Sequence, residues 1–436
     1  MTPSSSIGER LARMIRVQTV ADRGTEPFEQ FVALLEELYP MLHAHLERER
    51  ITDRGLLFRW RGATNEEPIV LMAHYDVVPA NVDEWGEDPF DGRIDHGWVH
   101  GRGALDDKGP LVVILDAVEA LLAEGFTPAR DVFLSFGGNE ETYGDAARAI
   151  AERLENAGVR PWLVIDEGGA IVDAPLPFTR GRAAMIGVGE KGIVTLRLTA
   201  LSDPGHASAP RGHSAIDRIA RATRRLSSGT FQPRAPLAIT RMLRTLANHA
   251  AGLARPAYSL LSRSRYLTGA VFAALGGEPA ALVRTTLAAT LQDGGSAPNV
   301  LPAAASVTLN LRLIPGDSVA SAQRRVAKRI RDPEVRIEVV EGSDPTPLSP
   351  VDGPAFDAIA SAVGSAYPNA TATPYLMMQA SDARHFHRLS PHVYRFAPLE
   401  MSANQRASIH GIGECVEITS LEKGRDFHIA LIRGLS

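Results

Sequence analysis

Ile69-Val70-Leu71-Met72-Ala73-His74-Tyr75-Asp76 is the stretch whose reading decides the fold of this chain. Ile69 to Ala73 is an unbroken apolar run with Pro68 before it and polar residues after it, the pattern of a short strand buried on both faces. The run ends on His74 and Asp76, two residues apart, so their side chains point the same way at a strand terminus. The carboxyl edge of an open α/β sheet is where ligands collect, and a metal-binding imidazole is commonly oriented by a nearby carboxylate. Taken alone, a core histidine beside a turn aspartate explains the tripeptide equally well.

Two more stretches repeat the design. Residues 131–136, Asp-Val-Phe-Leu-Ser-Phe, run into Gly137-Gly138-Asn139-Glu140-Glu141, and residues 162–165 run into Asp166-Glu167-Gly168-Gly169. Three successive strands ending on His or acid, with helices between them, indicate a largely parallel sheet. A glycine-rich hairpin pattern over 91–103 delivers the chain to Asp106-Asp107, just ahead of an apolar helix that Pro110 opens. Amphipathic periodicity predicts two further helices over 7–17 and 26–38.

Near Ala184 the pattern changes. Alternation over 186–200, a loop over 203–210, a helix over 213–226 and strand-like segments over 282–290 and 306–313 read as a smaller α+β domain inserted into the first. From Ser318 helix and strand alternate again, and Ile409-His410-Gly411 lies in a loop before the last helix. The expected fold class is α/β, with a catalytic domain in two parts, 1–187 and 317–436, around an insert at 188–316. Within the insert, residues 231–278 form an Arg- and Ala-rich helical pair with much apolar surface. Such a stripe packs on its own domain or a subunit partner, or lines a greasy substrate channel.

Bulk properties exclude several classes. A chain of 436 residues exceeds one ordinary core, so two domains are expected. The net charge of −5, without a basic stripe interleaved with aromatics, makes no case for nucleic acid. Cys415 is the single cysteine, which excludes an intrachain disulfide and a thiolate metal cluster. The N-terminal residues lack the apolar core of a signal peptide, and no run of about 18 apolar residues suggests a membrane span. A cytoplasmic protein is the expectation. A nucleotide site fails for want of a Gly-rich phosphate loop after the first strand.

His74, Asp106, Glu140, Glu141, Asp166 and His410 collect at strand ends and loops. Two divalent ions sharing one carboxylate need about one His and one further carboxylate each. His74 and Asp166 supply one ion, Glu141 and His410 the other, with Asp106 between. Imidazole and carboxylate donors with open positions suit two catalytic Zn2+ ions, with Co2+ or Mn2+ as rivals. Asp76 is left to orient His74, and Glu140 is left beside the ions, where a base is useful.

These motifs resemble those of the zinc-dependent carboxypeptidases, aminoacylases and desuccinylases, among them glutamate carboxypeptidase, carnosinase and succinyl-diaminopimelate desuccinylase. The resemblance covers nearly the whole chain and rests on His74-Tyr75-Asp76, the segment Gly101 to Gly109, Gly138-Asn139-Glu140-Glu141, Ile165-Asp166-Glu167-Gly168 and Ile409-His410-Gly411. It implies a zinc-peptidase fold whose inserted domain serves as lid and dimerisation domain. It also implies that Asp106 bridges the ions and that Glu140 is the base. Asp166 is favoured over Glu167 as ligand, because the subgroup this chain is most similar to places an Asp there.

In the lid, Gly205-His206-Ala207-Ser208 resembles the histidine that polarises the scissile carbonyl, often across a dimer interface. Asn299 and Arg312 resemble contacts to the substrate's carboxylate or amide, and Ser381 belongs to a segment resembling a substrate loop. The family's usual Gly-Gly before that loop is Gln379-Ala380 here. Gly189-Glu190-Lys191-Gly192, Gly205 to Pro210 and Val283-Arg284-Thr285-Thr286 are similar to the carboxypeptidase S and N-acyl-amino-acid hydrolase subgroup. The implied activity is hydrolysis of an amide next to a free carboxylate, on N-acyl amino acids or short peptides, with a dipeptidase or short-acyl deacylase as the alternative.

Overall fold

The computed structural model describes residues 6–435 except 143, 211 and 227, so the extreme ends of the expected catalytic domain lie outside the described residues. The strand Thr64–His74 occupies the middle of a nine-stranded sheet. It runs parallel to Arg130–Gly137 on one side and to Leu163–Asp166 on the other. Val393–Arg395 continues the parallel run beyond Leu163–Asp166. Every residue from Pro68 to His74 is buried, as an apolar run covered on both faces requires.

The alternation of side chains divides that strand between two cores. Ile69, Leu71 and Ala73 pack in the layer that holds the helices Ile7–Arg16, Lys108–Ala123 and Ile418–Gly434. Val70 and Met72 pack on the opposite layer with the helix Ala146–Asn156 and the turn Asp382–Arg388. With both layers filled, truncating Ile69, Leu71 or Met72 to Ala costs about 2–5 kcal/mol.

Toward its edges the sheet loses its parallel character. An antiparallel pair, Glu47–Arg50 and Gly55–Trp60, extends one side. On the other side Arg182–Glu190 runs antiparallel to Val393–Arg395 and carries Ala370–Met377 as a parallel edge strand. The hairpin of residues 91–103 forms from Arg93–Asp95 and Trp98–His100, and Cys415–Glu417 adds a third strand to it.

The smaller domain is a four-stranded antiparallel sheet in the order Thr286–Gly294, Ala304–Leu313, Gly192–Leu201, Val335–Ser343. The helices Ala215–Arg225 and Val319–Ile330 pack on it over a core of its own. The boundary expected at residue 316 is therefore corrected. Val335–Ser343 pairs along Gly192–Leu201, and Ala322, Val326 and Ile330 fill the small core, so the domain runs from about 192 to 343.

Residues 231–278 are also corrected. Their first helix, Leu237–Ala247, lies against the edge strand Ala370–Met377 of the large sheet. Ile239, Met242, Leu243 and Leu246 form an i, i+3, i+4, i+7 stripe that joins the large core. The segment is inserted in the lid's sequence but folds onto the catalytic domain.

Candidate metal centre

The parallel register brings the strand ends together. His74 pairs with Gly137, the last residue of Arg130–Gly137, so the turn carrying Glu140 and Glu141 emerges beside the imidazole. Gly138 is required there, since a Cβ would fall 2.6 Å from the Tyr75 ring. Asp76 is fully buried and ties the two strand ends together. Its carboxylate accepts hydrogen bonds from the backbone N–H groups of Glu140 and Glu141, both at 3.1 Å. The same carboxylate lies 3.3 Å from His74 Nδ1, which is also 3.1 Å from the Asp76 carbonyl. Asp76 thus fixes an imidazole and two acids at once.

Asp106 sits between the two histidines. His74 Nε2 lies 2.9 Å from its Oδ1, and His410 Nε2 lies 3.0 Å from its Oδ2 and 3.1 Å from Glu141 Oε1. The loop that presents Asp106 is held from below by Glu414, which is fully buried. Glu414 accepts from the N–H groups of Gly103, Leu105 and Asp106 at 3.2, 2.7 and 3.0 Å and pairs with Arg102 at 2.6 Å. Asp107 follows across a cis peptide bond, and its carboxylate accepts from the His74 N–H.

The electrostatics are lopsided. Among the described residues, neither Lys nor Arg forms an ion pair with Asp106, Asp107, Glu140, Glu141 or Glu167. Burial pushes the carboxyls of Asp107, Glu140 and Glu167 well above their ordinary range, and neighbouring acids add to it. Burial works on Asp106 too, but the two imidazoles outweigh it and hold that carboxyl low. Hydrogen bonds to Asp106 and Glu141 raise His410 to about 10. Burial pulls His74 down, yet its bonds to Asp106 and Asp76 leave it well above the usual imidazole value. Such a nest cannot ionise in full without cations. The donors are nitrogen and oxygen only, with one imidazole on each oxygen of a shared carboxylate, a set that fits a pair of divalent cations.

Among the described residues, two sets of three donors each have ligand atoms within 4.8 Å of one another: His74, Asp106 and Glu141, and Asp106, Asp107 and Glu167. Asp166, expected as a ligand, is bonded elsewhere through one carboxylate oxygen in this structure. Its Oδ2 accepts from the Ala383 N–H at 2.7 Å and its carbonyl from Phe396 N–H at 2.7 Å. Asp166 braces the strand end, while the next residue, Glu167, enters the cluster.

Among the described residues, the expected substrate contacts make no hydrogen bond or ion pair with the acids of the cluster. Ser381 is fully buried and donates to Glu190 Oε1 at 2.7 Å, which occupies the hydroxyl in a structural bond. His206 and Asn299 are neighbours on a two-stranded ribbon of the lid, Gly205–His206 against Val300–Leu301, with Ala207 N–H donating to the Asn299 carbonyl. Both are exposed. Arg312 lies in the lid strand Ala304–Leu313 opposite Ile193. Among the described residues no hydrogen bond or ion pair joins these three to the acids.

Sequence reading missed several residues. Glu414 lies more than 300 positions from the loop it holds and had no motif to flag it. Lys108, buried and bonded to the Met14 and Val17 carbonyls, stood in a motif but without a role. Glu190 and Arg395 form a fully buried pair at 2.6 Å that packs behind Asp166. The basic residue at 395, in an otherwise apolar strand, was the available signal.

Fold and centre together define a metal-dependent amide hydrolase. The model of peptidase family M20/M25/M40 matches residues 70–434, and the chain belongs to that family. It is 31% identical to a probable carboxypeptidase S-like 2 of Dictyostelium discoideum, over 98% of this chain and 84% of that protein. It is 30% identical to the human N-fatty-acyl-amino acid synthase/hydrolase PM20D1, over 98% of this chain and 87% of that protein. The fold is that of the M20 family metallo-carboxypeptidase Sso-CP2 from Sulfolobus solfataricus, with a TM-score of 0.70 at 16% identity, covering 98% and 99% of the two chains.

Proposed function

We propose that this protein is a dinuclear zinc hydrolase that cleaves the amide of N-acyl amino acids, next to a free carboxylate. The observation that carries the reading is Asp106, flanked through its two oxygens by His74 and His410. His74 and Glu167 would hold one cation and Glu141 and His410 the other, with Asp106 shared and Co2+ or Mn2+ as substitutes. Bound cations would polarise the scissile carbonyl and acidify a water.

The chain's own groups do the rest. Asp76 orients His74 and pins the Glu140 backbone. The Glu140 carboxyl makes no hydrogen bond or ion pair among the described residues, so it is free to take the proton from water and return it to the leaving amine. His206 would steady the oxyanion, presented by the lid of a second copy in a homodimer. Arg312 would pair the substrate carboxylate with its planar guanidinium and Asn299 its amide.

The choice of a long acyl group rests on the similarity to the fatty-acyl hydrolase. The helical segment no longer supports it, because its apolar residues are divided between the core and solvent. A second reading, cleavage of plain peptides, is favoured by the carboxypeptidase S-like relative. Rates of the zinc-loaded enzyme on N-lauroyl and N-acetyl amino acids and on a dipeptide separate the two. N-lauroyl turnover is expected to be fastest, and fastest cleavage of the dipeptide would overturn the acyl assignment.

A further inference from the structure

The 231–278 segment buries one side and leaves the other uncovered. On the helix Arg265–Leu275, Thr268, Gly269 and Phe272 turn inward, while Tyr266, Leu267, Ala270, Val271, Ala274 and Leu275 face outward, a surface without charge. Leu253, which caps the neighbouring helix Ala254–Leu261, and Leu260 near that helix's end are 87% and 58% exposed. Phe178, 76% exposed, joins this region, because Ala251 N–H donates to its carbonyl at 2.9 Å. Exposed apolar side chains gathered on neighbouring elements in this way mark an interaction surface.

The charge of the segment is predominantly positive. Residues 231–278 contain six arginines and one acid, the exposed Glu278 that follows the helix, in a chain whose net charge is −5. Arg234 and Arg265 are bonded to backbone carbonyls and Arg241 pairs with Asp352. Arg244, Arg255 and Arg263 are exposed, and among the described residues their guanidinium groups make no hydrogen bond or ion pair. An apolar helix face edged by arginines matches a surface that is both greasy and anionic. A second copy matches it poorly, since a two-fold contact would set arginines mainly against arginines, with Glu278 the one acid of the segment.

We propose that this face docks the enzyme on an anionic lipid bilayer, with the apolar side chains entering the headgroup layer and the arginines meeting lipid phosphates. Among the described residues no helix is long and apolar enough to cross a membrane, so the contact is interfacial.

The test is sedimentation of the full chain with vesicles of phosphatidylcholine alone and of phosphatidylcholine mixed equally with phosphatidylglycerol. The full chain should bind the mixed vesicles about tenfold or more tighter than the neutral ones, with binding that weakens as salt rises. The double variants L260E/L275E and R255E/R263E should each weaken that binding about tenfold or more while turnover of a soluble N-acetyl amino acid stays unchanged. Absence of binding to the mixed vesicles at low salt would overturn the proposal. So would full binding by R255E/R263E, whose exposed positions leave folding intact by circular dichroism. Splitting of a dimer by L260E/L275E in ultracentrifugation, with wild-type protein that ignores vesicles, would assign the face to a second copy instead.

Discussion

The two halves of the candidate site are built differently. On the large domain, Asp76, Glu414 and the Glu190–Arg395 pair are buried, and together they brace nearly every element that carries a cluster residue. On the lid, His206 and Asn299 stand exposed on a short ribbon and, among the described residues, are fixed through backbone bonds. The difference teaches where precision is invested. Groups that would hold cations and move a proton must be placed to within fractions of an ångström, which is what rigid second supports behind them provide. Groups that receive a substrate can wait in solvent for it.

The sharpest way to break this contrast is at Asp106. Asp106→Ala should abolish metal uptake and turnover together, measured by metal analysis and amidase assay, because both histidines lose their common partner. Glu140→Gln should keep the metal yet lose about 10²–10⁴-fold in kcat, the range for a positioned general base. Near-normal turnover in that variant would remove Glu140 from the mechanism. Asp76→Asn should keep the fold and weaken metal affinity by about 10–100-fold, the usual cost of losing a support behind a ligand. Arg312→Lys should leave metal content untouched and raise KM more than it lowers kcat, since a point charge cannot pair both carboxylate oxygens. Loss of metal in this lid variant would dissolve the distinction between the halves.

The smallest effect is one of pH. In the metal-free protein His410 is raised to about 10 by Asp106 and Glu141. Because the folded value lies above the free one near 6.5, this pair's stabilisation is complete below about 6.5 and is lost as pH rises through about 10. A ligand must be neutral, so cation binding at neutral pH should release protons and strengthen as pH rises. Calorimetry in two buffers of different ionisation enthalpy would show the release.

Much of this was legible in the sequence because strand ends are local. An apolar run that stops at His74, or at Gly137 before Glu140, declares both its burial and its exit point. Asp166 and Glu167 were not separable, because which of two adjacent acids faces the cluster depends on where the strand stops and what the other meets, here the Ala383 N–H. The lid's far boundary was hidden because Val319–Ile330 and Val335–Ser343 carry the same alternation as the catalytic domain. Only long-range antiparallel pairing with Gly192–Leu201 assigns them. Residues 231–278 showed their apolar stripe in the sequence but not the strand, Ala370–Met377, that it would cover.

The most direct test is an anomalous-difference map from a crystal of the zinc-loaded enzyme. Two peaks about 3.5–4 Å apart, with Asp106 between them, Glu167 on the His74 ion and Asp166 still bonded to Ala383 N–H, are the predicted result. A lone peak away from Asp106, or zinc bound by Asp166 with Glu167 turned aside, would contradict it.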